Sequence, residues 1–268
     1  MKGWLALGAI ALPTIVCAVL MLPVVPACAQ LGPCTARAIH AEDWNAAGTI
    51  ALLLGGGTLL AWSIRALILG LTTSRLVRQL PRQAQPTELR EAMERVGVEP
   101  VICIALDISL AFCAGILRPQ IYLSRGLVDQ LYPSELDAVL LHERHHSVRR
   151  DPFRYAVATA LKDVCFYLPV LDWLFRYQRE NAELGADRAA MQVVGRRPLA
   201  GALWALGTAL DSPVIAAFTA AAELRVAQVL GDPLPPRRPA RSLLLASVVG
   251  MLSLVATAGC LAQLLPVH

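Results

Sequence analysis

Residues 134–146 read SELDAVLLHERHH and contain three of the five histidines of the chain. Ser134 follows Pro133 and precedes an acidic turn, which is typical of a helix start. We predict that the helix continues to about Arg149 and ends before Asp151-Pro152, because proline disfavours helical backbone in the residue before it. The many charges along this helix exclude a membrane span.

The helix carries the pattern H-E-x-x-H, formed by His142, Glu143 and His146. Residues four apart lie on one face of a helix, so both imidazoles emerge one turn apart. Two neutral imidazoles at that spacing suit Zn²⁺, and Glu143 is placed to accept a proton from a water at the metal. We therefore predict a zinc site with Glu143 as catalytic base; the alternative is a surface cluster. We expect His145 to be a half-exposed polar residue.

A second acidic pattern supplies candidates for a third ligand, since catalytic zinc usually takes three protein ligands and a water. Glu183 and Asp187 lie four residues apart on a predicted helix, so they share a face. We favour Glu183 as the ligand, with Asp187 accepting the N–H of a ligand histidine. Gly185 allows close approach of the two helices. Glu180 is the competing ligand, and the alternative is an ordinary charged helix face.

The composition excludes an ordinary soluble protein. Of the 268 residues, 56% are hydrophobic and 16% are charged, and the mean hydropathy is +0.54, whereas soluble domains have about 25% charged residues. The net charge of +4 is too small to indicate direct nucleic-acid binding. Three apolar runs are long enough to cross a bilayer; they lie at about 4–25, 46–71 and 242–265.

The first apolar run has a second interpretation. Lys2 and Ala27-Cys28-Ala29 resemble the basic start and the cleavage site of a signal peptide. The run is longer than the core of a typical signal peptide, so we favour a retained helix. Cys28 and Cys34 share the following loop, where they either pair or stay as two thiols.

The distribution of basic residues predicts the topology. Residues 72–240 contain 20 of the 24 lysines and arginines, several of them beside the ends of the second and third runs. The positive-inside rule therefore places 72–240 in the cytoplasm and the loop 26–45 outside. A lipid bilayer is thus an expected partner of the chain.

The region between the spans is predicted to be a mixed α+β domain. β-Branched and apolar runs predict short strands at 101–106, 112–117 and 120–123. An apolar segment with four charges, 153–175, predicts an amphipathic helix lying on the bilayer. Further helices are predicted at 178–194, 199–210 and 214–230. The chain then divides into two N-terminal transmembrane helices (1–71), the domain (72–236), and a basic linker with the last span (237–268).

Several stretches together resemble the BlaR/MecR-type membrane metallopeptidases, a gluzincin-like family. The likeness covers about residues 50–230 and is carried by AFCAGILRPQIYL at 111–123, ELDAVLLHERHH at 135–146, Arg149-Arg150-Asp151, FYLP at 166–169 and the segment from Glu183 to Asp187. The resemblance implies that the zinc ligands are His142, His146 and Glu183, that Glu143 is the catalytic base, and that Asp187 stands behind the ligands.

The same resemblance implies a mainly α membrane protein, in which transmembrane helices flank a cytoplasmic α+β zincin-like metallopeptidase domain. It places the chain in a bacterial-type inner (cell) membrane as a multi-pass protein. The printed sequence ends after its last apolar run, so we expect a short form without the external sensor domain of the β-lactam receptors.

The implied function is a membrane-anchored zinc-dependent endopeptidase acting on a cytoplasmic or membrane-proximal protein, in this family often a transcriptional repressor. We expect residues 115–123 to pair with an extended substrate backbone. Two alternatives stay open, an HtpX-like quality-control protease and a non-catalytic zinc-binding membrane signal transducer. The charges of the H-E-x-x-H helix exclude a site-2-type intramembrane protease.

Reporter fusions test the predicted topology. We expect a fusion at Gln85 to report a cytoplasmic position and a fusion after His268 to report an external one, because arginines flank the inner ends of the second and third runs. Paired reporters, one active only inside the cell and one only outside, give the measurement. Equal signals at the two positions would contradict this topology.

Overall fold

The computed structural model of the chain describes residues 41–208 and 216–264. The predicted first span at about 4–25, with Cys28 and Cys34, lies outside the described residues. Two units are present: one contains residues 41–58 and 249–264, and the other is Leu59–Val248.

The elements follow one another as nine helices and four strands within the described residues. In chain order they are α1 (Ala41–Arg78), β1 (Arg82–Gln83), α2 (Thr87–Val96), β2 (Val101–Ile104), β3 (Ala111–Ala114), β4 (Gln120–Ser124), α3 (Arg125–Gln130), α4 (Pro133–Val148), α5 (Asp151–Val164), α6 (Val170–Val194), α7 (Arg196–Thr208), α8 (Ala216–Leu230) and α9 (Arg241–Leu264). The protein is therefore mostly helical, with a small sheet.

Among the described residues, one helical segment is long and apolar enough to cross a membrane, Gly55–Arg78 within α1. It overlaps the predicted second span, and its last turn contains the basic residues Arg75 and Arg78. α9 has a shorter apolar stretch, Arg241–Thr257. The crossing predicted at 242–265 therefore stays a prediction.

The sheet has the strand order β1-β2-β4-β3. β2 and β4 are parallel, whereas β1 pairs antiparallel with β2 and β3 pairs antiparallel with β4. β4 thus has a neighbour on each side and cannot accept a further strand. The prediction that residues 115–123 pair with a substrate is therefore wrong, and the edge strand on this side of the sheet is β3.

Both β2 and β3 are shorter than the sequence predicted. β3 ends at Ala114 because the next residue, Gly115, has a φ of 113°, a conformation that residues with a side chain rarely adopt. A Cβ at Gly115 would also lie 2.4 Å from the carbonyl oxygen of Arg118. This tight turn returns the chain into β4.

α4, which carries the H-E-x-x-H pattern, lies at the centre of the second unit. It packs against α2, α6, α7 and β3. Leu136 and Leu140 on α4 are buried in one apolar cluster with Leu89 of α2 and Leu123 of β4. Burial of each such side chain stabilises the fold by about 1.5–3 kcal/mol, so this core fixes the position of α4.

The helix predicted at 153–175 is in fact two helices. α5 ends at Val164, and the chain turns before α6 begins at Val170. The turn precedes Pro169, which disfavours helical backbone in the residue before it. α6 also starts well before the predicted helix at 178–194 and includes it.

Polar contacts attach α5 to α1. The indole N–H of Trp62 donates to the carbonyl oxygen of Val157 at 3.2 Å, and Arg65 forms an ion pair with Asp163 at 2.7 Å. α5 therefore lies beside the apolar helix, and its position at the membrane stays a prediction.

The core beneath α4 can be tested by substitution. We expect Leu140→Ala to lower the free energy of unfolding by about 2–5 kcal/mol, because Leu140 is fully buried. Val148→Ala is the matched control on the same helix; Val148 is 74% exposed, so its change should stay within about 0.5 kcal/mol. Denaturant unfolding of the purified protein in detergent measures both, and equal losses would contradict the buried face described for α4.

Candidate metal centre

α4 carries three polar side chains into the interior. His142, Glu143 and His146 are each less than a tenth exposed. The helix start is fixed by Glu135, whose Oε2 accepts the backbone N–H of Tyr132 at 3.0 Å, and an acidic residue at this end is favoured by the helix dipole. The two imidazole rings lie with their centroids 4.8 Å apart.

Glu183 of α6 completes a cluster with the two histidines. The Nε2 atoms of His142 and His146 are 3.1 Å apart. Glu183 places Oε2 3.4 Å from His142 Nε2 and Oε1 3.6 Å from His146 Nε2. Tetrahedral zinc ligands with bonds of about 2.0–2.1 Å lie about 3.3 Å from one another. The three side chains therefore fit one tetrahedral ion.

Two buried carboxylates orient the imidazoles. Asp187 Oδ1 lies 2.9 Å from Nδ1 of His142, and Asp151 Oδ2 lies 2.8 Å from Nδ1 of His146. Both aspartates are almost completely buried. A carboxylate that accepts the Nδ1–H fixes the tautomer in which Nε2 is free to bind a metal. Both Nε2 atoms consequently face Glu183.

The contact of Asp151 with His146 was not predicted from the sequence, where Asp151 marked the end of the helix and belonged to one of the stretches that carry the family resemblance. The sequence does contain a local signal for this contact, because Asp151 follows His146 by only five residues. The intervening Arg150 has a φ of 54°, so the chain turns sharply there. This corner brings the start of α5 back beneath the end of α4.

Arg225 of α8 is a second residue that sequence analysis missed. Its Nε and one terminal nitrogen donate to the two oxygens of Asp187, each at 2.7 Å. Its other terminal nitrogen lies 3.4 Å from Oε2 of Glu183. Paired hydrogen bonds of this kind are strong and directional. No local pattern identifies Arg225, because its partner Asp187 lies 38 residues earlier.

Burial and neighbouring charges shift the pKa values of three residues in the cluster. Burial lowers the pKa of His142, but contacts with Asp187 and Glu183 outweigh burial and raise the pKa to about 9. Burial raises the pKa of Glu183, yet His142 and Arg225 outweigh it, so the pKa falls below its ordinary value. Burial raises the pKa of Glu143, which makes this carboxylate a stronger base.

The competing glutamate and the third histidine lie outside the cluster. Glu180 accepts a hydrogen bond from Arg237 at 2.8 Å. Arg237 lies in the linker before α9, so Glu180 is bound there and not to the histidines. His145 is half-buried and lies against Gly185, where a Cβ would come within 3.2 Å of its Nε2. Gly185 therefore permits the close approach of α4 and α6 that brings Glu183 to the histidines.

Comparisons with known proteins place this site in a family. A search of curated proteins finds no match. Residues 18–217 match the family described as BlaR1 peptidase M56, and this stretch includes α4 and all of α6. Arg225 lies beyond it. Because the match extends over most of the chain, the chain belongs to the BlaR1 peptidase M56 family.

Proposed function

We propose that this protein is a membrane-anchored zinc endopeptidase that hydrolyses a cytoplasmic or membrane-proximal protein. The observation that carries the proposal is the convergence of His142, His146 and Glu183 on one position, beside the buried Glu143. Membership of a peptidase family supports hydrolysis of peptide bonds, and the apolar segment of α1 supports the membrane anchor.

Zinc is the metal that best suits the donor set. Two imidazoles and one carboxylate are a ligand combination of catalytic zinc sites, whereas Mg²⁺ and Ca²⁺ prefer oxygen ligands alone. Bound zinc would make a water more acidic and polarise the substrate carbonyl. Asp151 and Asp187 would hold the imidazoles in one orientation during the reaction.

Glu143 moves the proton in the proposed reaction. Its carboxylate accepts a proton from the attacking water, whose oxygen bonds to the carbonyl carbon while the π electron pair moves onto the carbonyl oxygen. When that pair returns, the C–N bond breaks, and Glu143 gives the proton to the leaving amine. One water is thereby added across one peptide bond.

The substrate we propose is a transcriptional repressor, the substrate type that the family resemblance implies. An extended segment of it would pair with the edge strand β3, which packs beside α4. Quality-control proteolysis of membrane proteins is an alternative. A purely structural zinc is disfavoured, because structural sites usually have four protein ligands and the cluster in the described part of the chain has three.

Substitution of the two glutamates tests the ligand set. We expect Glu183→Ala to lose most of the bound zinc, because one of three ligands is removed. Glu180→Ala is the matched control on the same helix, and it should keep zinc because Glu180 contacts Arg237. Metal analysis of the desalted proteins gives the zinc per chain. Zinc loss from Glu180→Ala, with retention in Glu183→Ala, would contradict the proposed ligands.

Substitution of the base tests catalysis. We expect Glu143→Gln to keep the fold and the zinc, because glutamine is nearly the same size, but to lose proteolysis because it cannot accept the proton. General acid–base groups contribute about 10²–10⁴-fold, and Glu143 acts in both halves of the reaction, so a loss in the upper part of this range is expected. The measurement is cleavage by purified protein in detergent, with zinc quantified in the same sample.

A proteomic comparison supplies the substrate for this measurement. Cells that carry the intact chain are compared with cells that carry Glu143→Gln, and the peptides that appear only with the intact chain identify the cleaved protein. A zinc-loaded Glu143→Gln protein that cleaves at the normal rate would overturn the role of Glu143 as the base. An intact, zinc-loaded protein that yields no cleavage product would overturn the enzymatic proposal and favour a structural zinc.

A further inference from the structure

The hydroxyl of Tyr155 on α5 is buried and has no hydrogen-bond partner among the described residues. Leaving a buried donor unsatisfied is unfavourable, and such groups are rare in folded proteins. The reaction proposed above assigns no role to this hydroxyl.

The ring of Tyr155 is held rigidly between α5 and α6. It packs edge-on against Phe175, with ring centroids 6.2 Å apart. Arg179 belongs to α6, and its guanidinium lies 5.7 Å from the centroid of the Tyr155 ring, a favourable cation–π distance. The position of the hydroxyl is therefore set by packing rather than by hydrogen bonds.

This packing places the phenol on the faces of α5 and α6 that also carry residues of the metal cluster. Phe175, Arg179 and Glu183 succeed one another at four-residue intervals, so they form one stripe along α6. Tyr155 stands four residues after Asp151 on α5 and shares its face. Asp151 contacts a histidine of the cluster, and the stripe on α6 ends in Glu183. The phenol thus lies between the two helix faces that build the site.

The charges around the phenol agree with this position. Burial raises the pKa of Tyr155, and the negative charges of Glu183 and Asp151 raise it further against the opposing effect of Arg179. The hydroxyl therefore keeps its proton at physiological pH. It is a hydrogen-bond donor within electrostatic reach of the cluster.

We propose that Tyr155 is a catalytic residue, which donates a hydrogen bond to the substrate oxygen that becomes negative when water adds to the scissile carbonyl. The proposal rests on the zinc-peptidase function above. As the C=O π pair moves onto oxygen, the Tyr155 hydroxyl stabilises that charge and keeps its own proton, while Glu143 carries the proton of the water. A donor fixed in advance needs no reorganisation during the reaction.

Arg225 is another strong donor beside the cluster, and it is less suited to this role. Both of its short hydrogen bonds, at 2.7 Å, go to Asp187. Turning it toward a substrate would remove both of these hydrogen bonds from the buried Asp187 carboxylate and leave it only the contact with His142, which is unfavourable. Tyr155 can donate without breaking any contact described for it.

The test is Tyr155→Phe, which removes the hydroxyl and keeps the ring that packs between α5 and α6. Removal of one such donor typically lowers kcat about 10²–10³-fold, and we expect the lower end of this range with KM and zinc content unchanged. The substrate is a peptide that spans the cleavage site found by the proteomic comparison. Tyr132→Phe is the control, because Tyr132 is 74% exposed, and it should keep full activity.

A second readout does not depend on turnover. A phosphinic peptide of the same sequence carries a tetrahedral anion in place of the scissile amide and mimics the charged state of the carbonyl oxygen. Its affinity for zinc-loaded protein, measured by titration calorimetry, should fall about 10- to 100-fold in Tyr155→Phe, since a hydrogen bond to a charged group is lost. The affinity for the uncleaved peptide, measured in the Glu143→Gln background, should stay the same.

The outcomes separate the two proposals. An active intact protein, with an unchanged kcat and phosphinate affinity in Tyr155→Phe, would overturn the role of Tyr155 and leave the peptidase function standing. Loss of zinc or of folding in Tyr155→Phe would assign the residue a structural role and overturn the inference as well. An intact protein that neither cleaves nor binds the phosphinate would overturn the peptidase function, and the inference with it.

Discussion

The rest of this structure depends on one constraint, the balance of charge in the largely buried metal-binding cluster. Four carboxylates surround the two imidazoles: Glu143, Asp151, Glu183 and Asp187. Buried charges of one sign are tolerated only when opposite charges compensate them. Arg154 and Arg225 contact these carboxylates and supply two positive charges, and a divalent cation would supply two more. Charge balance and ligand spacing are therefore both compatible with a metal ion at this site.

The compact corner between α4 and α5 explains how the chain gathers this site from few elements. Arg150, with a φ of 54°, turns the chain so that Asp151 lies beneath His146. Asp187 has the corresponding contact with His142 from α6, and Arg225 holds Asp187 from α8. Each helix contributes a side chain that only the packed fold brings into position, so the site depends on the apolar core under α4 as much as on the histidines.

Helical spacing predicts which residues of one helix share a face. Between helices, the sequence predicted only the approach of Glu183 and Asp187 to the histidines, because a zinc site needs a third ligand and a partner for an imidazole N–H. Spacing of four residues identified His142 with His146, and Glu183 with Asp187, because helical geometry alone places such pairs on one face. No local rule says which helices will pack, so the partnership of Arg225 with Asp187, 38 residues away, had no local signal. The break before Pro169 was missed because the apolar pattern continues across it.

The position of Glu183 rather than Glu180 in the cluster shows how distant contacts fix a candidate ligand. Three residues along a helix correspond to a rotation of about 300°, so the two glutamates point about 60° apart. Arg237, which lies 57 residues after Glu180 in the chain, donates a hydrogen bond to it at 2.8 Å. The guanidinium of Arg237 also lies 4.7 Å from the centroid of the Tyr177 ring. At the start of α6, Ser247 Oγ accepts a hydrogen bond from the N–H of Val170 at 3.0 Å. These contacts set the rotation of α6 about its axis, and that rotation turns Glu183 toward α4.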